Sequence, residues 1–333
     1  MTSLEDFAVG EAKELRAALQ RTQRQLVQAK QRTAHLVEAV YQAAHDAQLA
    51  LGKPEPVVPP KRDRRKKPEI ALLHATDWQV GKQTPTYDSD VAAERLAAFT
   101  DKAHQLADIQ RADHPVREAV LMLGGDMVEG VSIFPSQPFE VDSTLYAQTF
   151  HVVKIIETMV RSLLAGFEQV TVYDIHGNHG RIGRKGDVPA LDNIDRLLYR
   201  IVYERFQGEK RLRWHHAQSW HQIVTVGNYR ALLVHGDQIR SFGGNLPAYG
   251  IVKKFSAWKS GVLDPFQDGF VGHFHNHQSL SLGAGGHVFM TGSPESGNEF
   301  AREFVGATGQ PSQRMHFVDP ERGRTTAEYQ VWL

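Results

Sequence analysis

Ile70-Ala71-Leu72-Leu73-His74-Ala75-Thr76-Asp77-Trp78-Gln79 is the stretch on which the reading of this chain turns. Four consecutive apolar residues read as a short buried strand, and the run breaks into polar residues at Asp77. In an open α/β sheet the loops at the carboxyl ends of strands converge on one crevice, so Asp77 stands where functional groups collect. The same phrase recurs twice. Ala119-Val120-Leu121-Met122-Leu123 runs into Gly125-Asp126, and Val170-Thr171-Val172-Tyr173 runs into His176-Gly177-Asn178-His179. Helical spacing fills the intervals, over Ala92–Arg111 and Gln148–Leu164, and a third helix follows around Asn193–Phe206. That β-α-β-α-β order predicts an α/β core with crossover connections.

Beyond Arg211 the texture changes to strands, over Gln222–Val226, Ala231–Val234, Gly269–Val271, His287–Met290, Gln313–Val318 and, less cleanly alternating, Thr325–Trp332. A two-sheet sandwich flanked by helices accommodates both halves. The second half adds His235-Gly236-Asp237 and Gly272-His273-Phe274-His275 at strand ends. His273 and His275 are two apart, so an extended backbone puts both imidazoles on one face. Taken singly these pieces are ordinary: Gly-Asp after a strand is a turn or a helix cap, and Gly-Asn tolerates left-handed backbone. Five of them in order at strand ends are not ordinary. Carboxylate, imidazole and amide oxygen together suit manganese, iron or zinc, and do not suit copper(I) or an iron–sulfur cluster. Two such ions about 4 Å apart can hold both oxygens of an in-line displacement.

Composition narrows the classes. A chain of 333 residues suits one large domain with an appendage, and 41% hydrophobic residues suffice for a core. The absence of cysteine removes disulfides, thiolate metal sites and thiol nucleophiles. With no apolar run of membrane-spanning length and no signal-like start, the expectation is a cytoplasmic protein without a membrane partner. Formal net charge is zero, so any contact with nucleic acid must rest on local basic patches.

Three segments divide the chain. Residues 1–52 are expected to form a long helix, since Leu15, Leu19, Thr22, Leu26, Ala29, Thr33, Leu36, Val40, Ala43 and Ala47 alternate by four and three. That seam is a coiled-coil pattern, weakened by Thr and Ala, and fits self-association or a protein partner. Residues 53–68, Pro-rich with the run Lys61-Arg62-Asp63-Arg64-Arg65-Lys66-Lys67, read as a linker. Residues 69–333 form the main domain.

The ordered set resembles the calcineurin-like metallophosphoesterase superfamily, whose pattern is D-x-H, G-D, G-N-H, H and G-H-x-H. Leu73 to Lys82, and Gly292-Ser293-Pro294 after the last motif, are similar to the SbcD-type DNA repair exonuclease subunits. The resemblance spans about Ile70 to Pro294. It implies a four-layer αββα sandwich and two divalent ions, manganese first and magnesium, iron or zinc as alternatives. It further implies that Asp77, Gln79, Asp126 and His275 bind one ion, with Asp126 bridging. Asn178, His235 and His273 would complete the second site, and His179 would stabilise the transition state or protonate the leaving oxygen. The nucleophile would be a hydroxide shared by the ions, attacking phosphorus.

Three departures from that pattern stand out. Gln79 replaces the usual His, and its amide oxygen is a weaker ligand that favours manganese or magnesium. Gly130 stands where relatives often place Asp, and Gly180 where an acidic residue is common. The loop after Gly180 carries Arg181, Arg184 and Lys185, which could contact phosphates flanking a scissile bond in a polymer. Lys253, Lys254 and Lys259 interleave with Phe255 and Trp258, and aromatics at that spacing read as core. His215, His216 and His221 match no motif and read as structural. The resulting expectation is a metal-dependent DNA exonuclease or endonuclease. A phosphatase or cyclic-nucleotide phosphodiesterase for small substrates is one alternative, and a non-catalytic scaffold with a decayed metal site is another.

Overall fold

The computed structural model describes residues 56–61, 67–134, 137–183, 185–239, 248–283, 285–297 and 310–333, with scattered positions between 21 and 50. Most of the helix expected over 1–52 and part of the linker expected over 53–68 lie outside the described residues, as does Arg184. Among the described residues, no helix is long and apolar enough to cross a membrane.

The chain builds strand β1 (Glu69–Ala75), helix α1 (Ser89–Gln110), β2 (Val116–Leu123), α2 (Leu145–Gly166), β3 (Gln169–Asp174), α3 (Ile194–Arg205) and β4 (Leu212–His216). There follow β5 (His221–Val226), β6 (Tyr229–Val234), α4 (Ala248–Ala257), β7 (Asp268–Val271), β8 (Gln278–Ser281), β9 (His287–Met290), β10 (Ser312–Asp319) and β11 (Arg324–Trp332). One sheet has the order β11-β10-β1-β2-β3-β4, and the other the order β5-β6-β7-β9-β8.

Period-two alternation on β1 explains how the layers stack. Ala71, Leu73 and Ala75 pack with Leu96, Phe99, Val152, Ile156 and Leu198 of the helices. Ile70 and Leu72 point the other way, joining Val224, Leu233, Phe270 and Phe289 of the second sheet. The outer face of that sheet, with Leu232, Val234 and Val271, is covered by Ile251, Phe255 and Trp258. The order is therefore helices, sheet, sheet, helix: the four-layer αββα sandwich. Strand β1 is buried along its whole length, which is why its apolar run is unbroken. Phe255 and Trp258 are core, as their spacing predicts.

Helices α1, α2 and α3 each start at a polar cap. Asp88 accepts from Asp90 N and Val91 N, which sets the start of α1 three residues before the predicted one. Thr144 caps α2, and Asn193 caps α3 by accepting from Asp195 N.

Register brings the motif loops level. In parallel pairing Ala75 lies beside Leu123 and Leu123 beside Asp174. Val234 lies beside Val271, and Val271 beside Met290. Backbone pairing continues past the strands: Asp77 N donates to Gly125 O at 3.0 Å and Gln79 N to Asp126 O at 2.9 Å. On the other sheet Gly272 N donates to His235 O at 3.0 Å. All five motif loops therefore leave the sandwich at one rim.

Candidate metal centre

Six non-glycine residues have positive φ among the described residues, and five are predicted ligands. They are Asp77 (55°), Gln79 (45°), Asp126 (53°), His273 (66°) and His275 (49°), the sixth being Lys67. A left-handed backbone on a side-chain-bearing residue costs about 1–3 kcal/mol and persists where surrounding structure over-determines it. Here the bends turn successive side chains inward from the ends of β1, β2 and β7.

The side chains meet in two groups. Asp126 Oδ2 lies 2.9 Å from His235 Nε2, which is 3.3 Å from Asn178 Oδ1. Asp126, His235 and His273 each present a ligand atom within 4.8 Å of the others. His235 Nδ1 donates to Gly124 O at 2.9 Å, which directs Nε2 into the cluster. In the second group His275 Nε2 is 3.5 Å from Asp77 Oδ1. Backbone donors hold the carboxylates: His273 N bonds both oxygens of Asp77 at 2.8 and 2.9 Å, and His179 N bonds Asp126 Oδ1 at 2.6 Å.

Electrostatics around these carboxylates favour added positive charge. Asp77 and Asp126 are fully buried or nearly so. Burial alone would raise their pKa values, but His275 and His235 carry Asp77 below its ordinary value, and His235 and His179 carry Asp126 down. Burial likewise opposes charge on His235, yet Asp126 holds its pKa up at about 10, and contacts to Asp77 and Glu295 raise that of His275 well above the usual. Protons on these imidazoles balance two buried carboxylates. Divalent cations would balance the same charge on the same oxygen and nitrogen donors, so the residues fit the metals that the sequence implies.

His179 is held from behind. Its Nδ1 donates to Glu129 O at 2.7 Å and lies 3.3 Å from Glu129 Oε2, with Gln137 Nε2 at 3.2 Å. Burial works against its charge, but Asp126 and Glu129 keep its pKa at about 9. Nε2 faces the Gln79 amide nitrogen at 3.3 Å.

Two of the sequence departures find their reasons here. Position 130 has φ +79°, and a Cβ there would overlap the His179 carbonyl, so an acidic residue has no room. Glu129, one residue earlier, supplies the acid against His179. At position 180 a Cβ would run into the Asn193 side chain, which donates to Gly177 O at 2.9 Å.

Of the predicted substrate residues, Arg181 sits at the rim but pairs with Asp237, Nη2 to Oδ2 at 2.7 Å, while Lys185 is exposed. His216 donates to Asp174 at 2.6 Å from within β4, and His215 also lies in that strand. Three further residues complete the site and have no motif of their own: Gln137, Asp195 and Glu295. Asp195 accepts from Asp126 N at 2.9 Å, Met127 N at 3.2 Å and Gly177 N at 2.9 Å, joining two motif loops. A polar residue at the first turn of α3 is the only sequence signal for it, and that reads as a cap.

No family model and no curated protein matches the chain. Among solved structures it is similar to the Vps29 of Entamoeba histolytica complexed with zinc, at 11% identity and TM-score 0.33, covering 78% of this chain and 98% of that one. It is similar to a predicted phosphoesterase from Streptococcus pneumoniae, at 12% identity and TM-score 0.33, covering 79% and 98%. A 5'-nucleotidase from Candida albicans matches at 13% identity and TM-score 0.35, covering 81% and 53%. Scores this low leave the functional reading to the residues.

Proposed function

We propose that this chain is a two-metal phosphodiesterase of the calcineurin-like type whose substrate is DNA. The observation that carries the metal reading is the convergence of Asp77, Gln79, Asp126, Asn178, His235, His273 and His275 at one rim, five of them on left-handed backbone. In this reading Asp77, Gln79, Asp126 and His275 hold one ion, and Asp126, Asn178, His235 and His273 the other. Divalent ions, manganese first, supply Lewis acidity and a hydroxide near neutral pH.

The chain's own groups do the rest. Glu129 holds the His179 ring through Nδ1, which leaves Nε2 on the far side of the ring. In this reading His179 gives a proton from Nε2 to the departing oxygen. The strained loops fix the ligands before substrate arrives, which limits reorganisation during reaction.

The DNA assignment is supported by the opening segment Leu73–Lys82 and by Arg181 at the rim, with Lys185 exposed in the same loop. A second reading, a hydrolase for small phosphate esters, draws on the Arg181–Asp237 pair, because Asp237 neutralises the rim arginine. One experiment separates the two. Labelled single- and double-stranded DNA, a chromogenic phosphodiester and a phosphomonoester are incubated with Mn2+ and the chain, with Asp126→Ala as blank. DNA cleavage that the blank abolishes supports the nuclease. Turnover of the small esters alone supports the second reading, and no turnover at all refutes both.

A further inference from the structure

Glu295 lies five residues beyond the end of β9, and its side chain is 1% exposed. A buried carboxylate needs a partner, and this one faces a predicted metal ligand. Its Oε2 is 3.2 Å from His275 Nδ1, while Nε2 of the same ring is 3.5 Å from Asp77 Oδ1. The imidazole is thus strung between a carboxylate behind it and a carboxylate in front.

The segment that carries Glu295 is fastened to the Asp77 loop. Ser293 Oγ donates to Asp77 O at 2.7 Å and accepts from Glu295 N at 2.9 Å. Arg95 Nη1 donates to Pro294 O at 2.5 Å, and its guanidinium stands 5.5 Å over the Tyr87 ring. The Tyr87 hydroxyl in turn donates to Trp78 O. Position 295 is therefore fixed relative to Asp77 through backbone and side chain, and its carboxylate lies against His275 Nδ1.

We propose that Glu295 is a positioning residue for the first metal. It keeps the His275 proton on Nδ1, leaves the Nε2 lone pair facing Asp77, and makes the imidazole a better donor by adding negative charge behind it. The proposal rests on the two-metal reading and extends it to a residue outside the family motifs. It also gives the Gly292-Ser293-Pro294-Glu295 segment a chemical purpose. The segment closes the first site from behind, where Gln79 is a weaker ligand than imidazole.

Calorimetric titration of the full chain with Mn2+ alone tests it. Glu295→Gln keeps shape and removes charge. One of the two ions should bind about 10–100-fold more weakly, as found for outer partners of ligating histidines. The other ion should bind as before, and unfolding in EDTA should stay unchanged. In a His275→Ala background the same substitution should cost no further affinity. Uptake by Glu295→Gln equal to that of the unaltered chain, or an equal loss with and without His275, overturns the positioning role. If the unaltered chain takes up no Mn2+, the metal reading falls and this proposal falls with it. A second measurement does not depend on how the variant folds. Long-range 1H–15N spectra of the unaltered, histidine-labelled chain loaded with Zn2+ should show His275 protonated at Nδ1, and protonation at Nε2 overturns the proposal.

Discussion

Asp195→Ala tests whether one buried carboxylate holds two motif loops together. The Asp195 side chain is fully buried and accepts three backbone N–H groups, from Asp126 at 2.9 Å, Met127 at 3.2 Å and Gly177 at 2.9 Å. Truncation leaves all three donors without partners, and each orphaned buried donor costs about 1–3 kcal/mol. Against this stands the cost of the carboxylate itself: burial and the nearby Asp126 raise its pKa to about 6. The net loss should be about 3 kcal/mol, toward the lower end of the sum. Asp195→Asn keeps one oxygen for the Asp126 and Gly177 donors and loses only the Met127 bond, so its cost should be about 1 kcal/mol. Urea unfolding in EDTA, followed by tryptophan fluorescence, reads both values. Manganese affinity should fall for Asp195→Ala, because the loops of Asp126 and Asn178 lose their common anchor. An unfolding free energy for Asp195→Ala within about 0.5 kcal/mol of the unaltered chain would refute the reasoning, since that is the range of substitutions touching nothing important.

Other changes have equally definite outcomes. Gln79→His should tighten binding of the first ion and lower the Mn2+ concentration needed for half-maximal activity, as imidazole is the stronger ligand; calorimetry with Mn2+ reads it. Asp237→Asn removes the partner 2.7 Å from Arg181, so DNA binding should strengthen and the slope of log affinity against log salt should steepen by about 1. An unchanged slope would show that Arg181 meets no phosphate. His74 is fully buried, its Nδ1 2.7 Å from Thr291 Oγ1, and burial holds its pKa down to about 3. It is neutral in the fold while the unfolded chain takes up a proton near pH 6.5, so stability is lost as pH falls below that value. The slope from this group approaches about 1.4 kcal/mol per pH unit. Thermal unfolding between pH 7 and 5 should therefore depend less on pH in His74→Gln.

What could be read from the sequence, and what could not, follows from how far each signal reaches along the chain. Strands β1, β2 and β3 are buried on their inner halves from both sides, so their apolar runs betray them. Strand β4, Leu212-Arg213-Trp214-His215-His216, lies at a sheet edge with alternate residues exposed, and β8, Gln278-Ser279-Leu280-Ser281, is likewise an edge. Neither carries an apolar run, and both escape a reading by hydrophobicity. The predicted ligands were legible because each sits at a strand end beside a turn-forming residue, in an order that only one rim of the sandwich can unite. Their supporting groups announce nothing locally. Gln137 lies against His179 across 42 positions, and Glu295, past the end of β9, meets a histidine twenty positions before it that follows the neighbouring strand β7.

That difference bears on how Gln79 should be understood. Read along the chain it is a lost ligand, the best argument for decay of the site. In the fold it touches His179, and the ring of His275 is backed by a buried carboxylate. A decaying site has no physical reason to keep five non-glycine residues on strained backbone, since relaxing any one of them would return about 1–3 kcal/mol. Nor would it keep buried carboxylates aimed at its histidines, because an unneeded buried charge costs stability. Strain and charge are both retained around Gln79, which supports the two-metal centre proposed above.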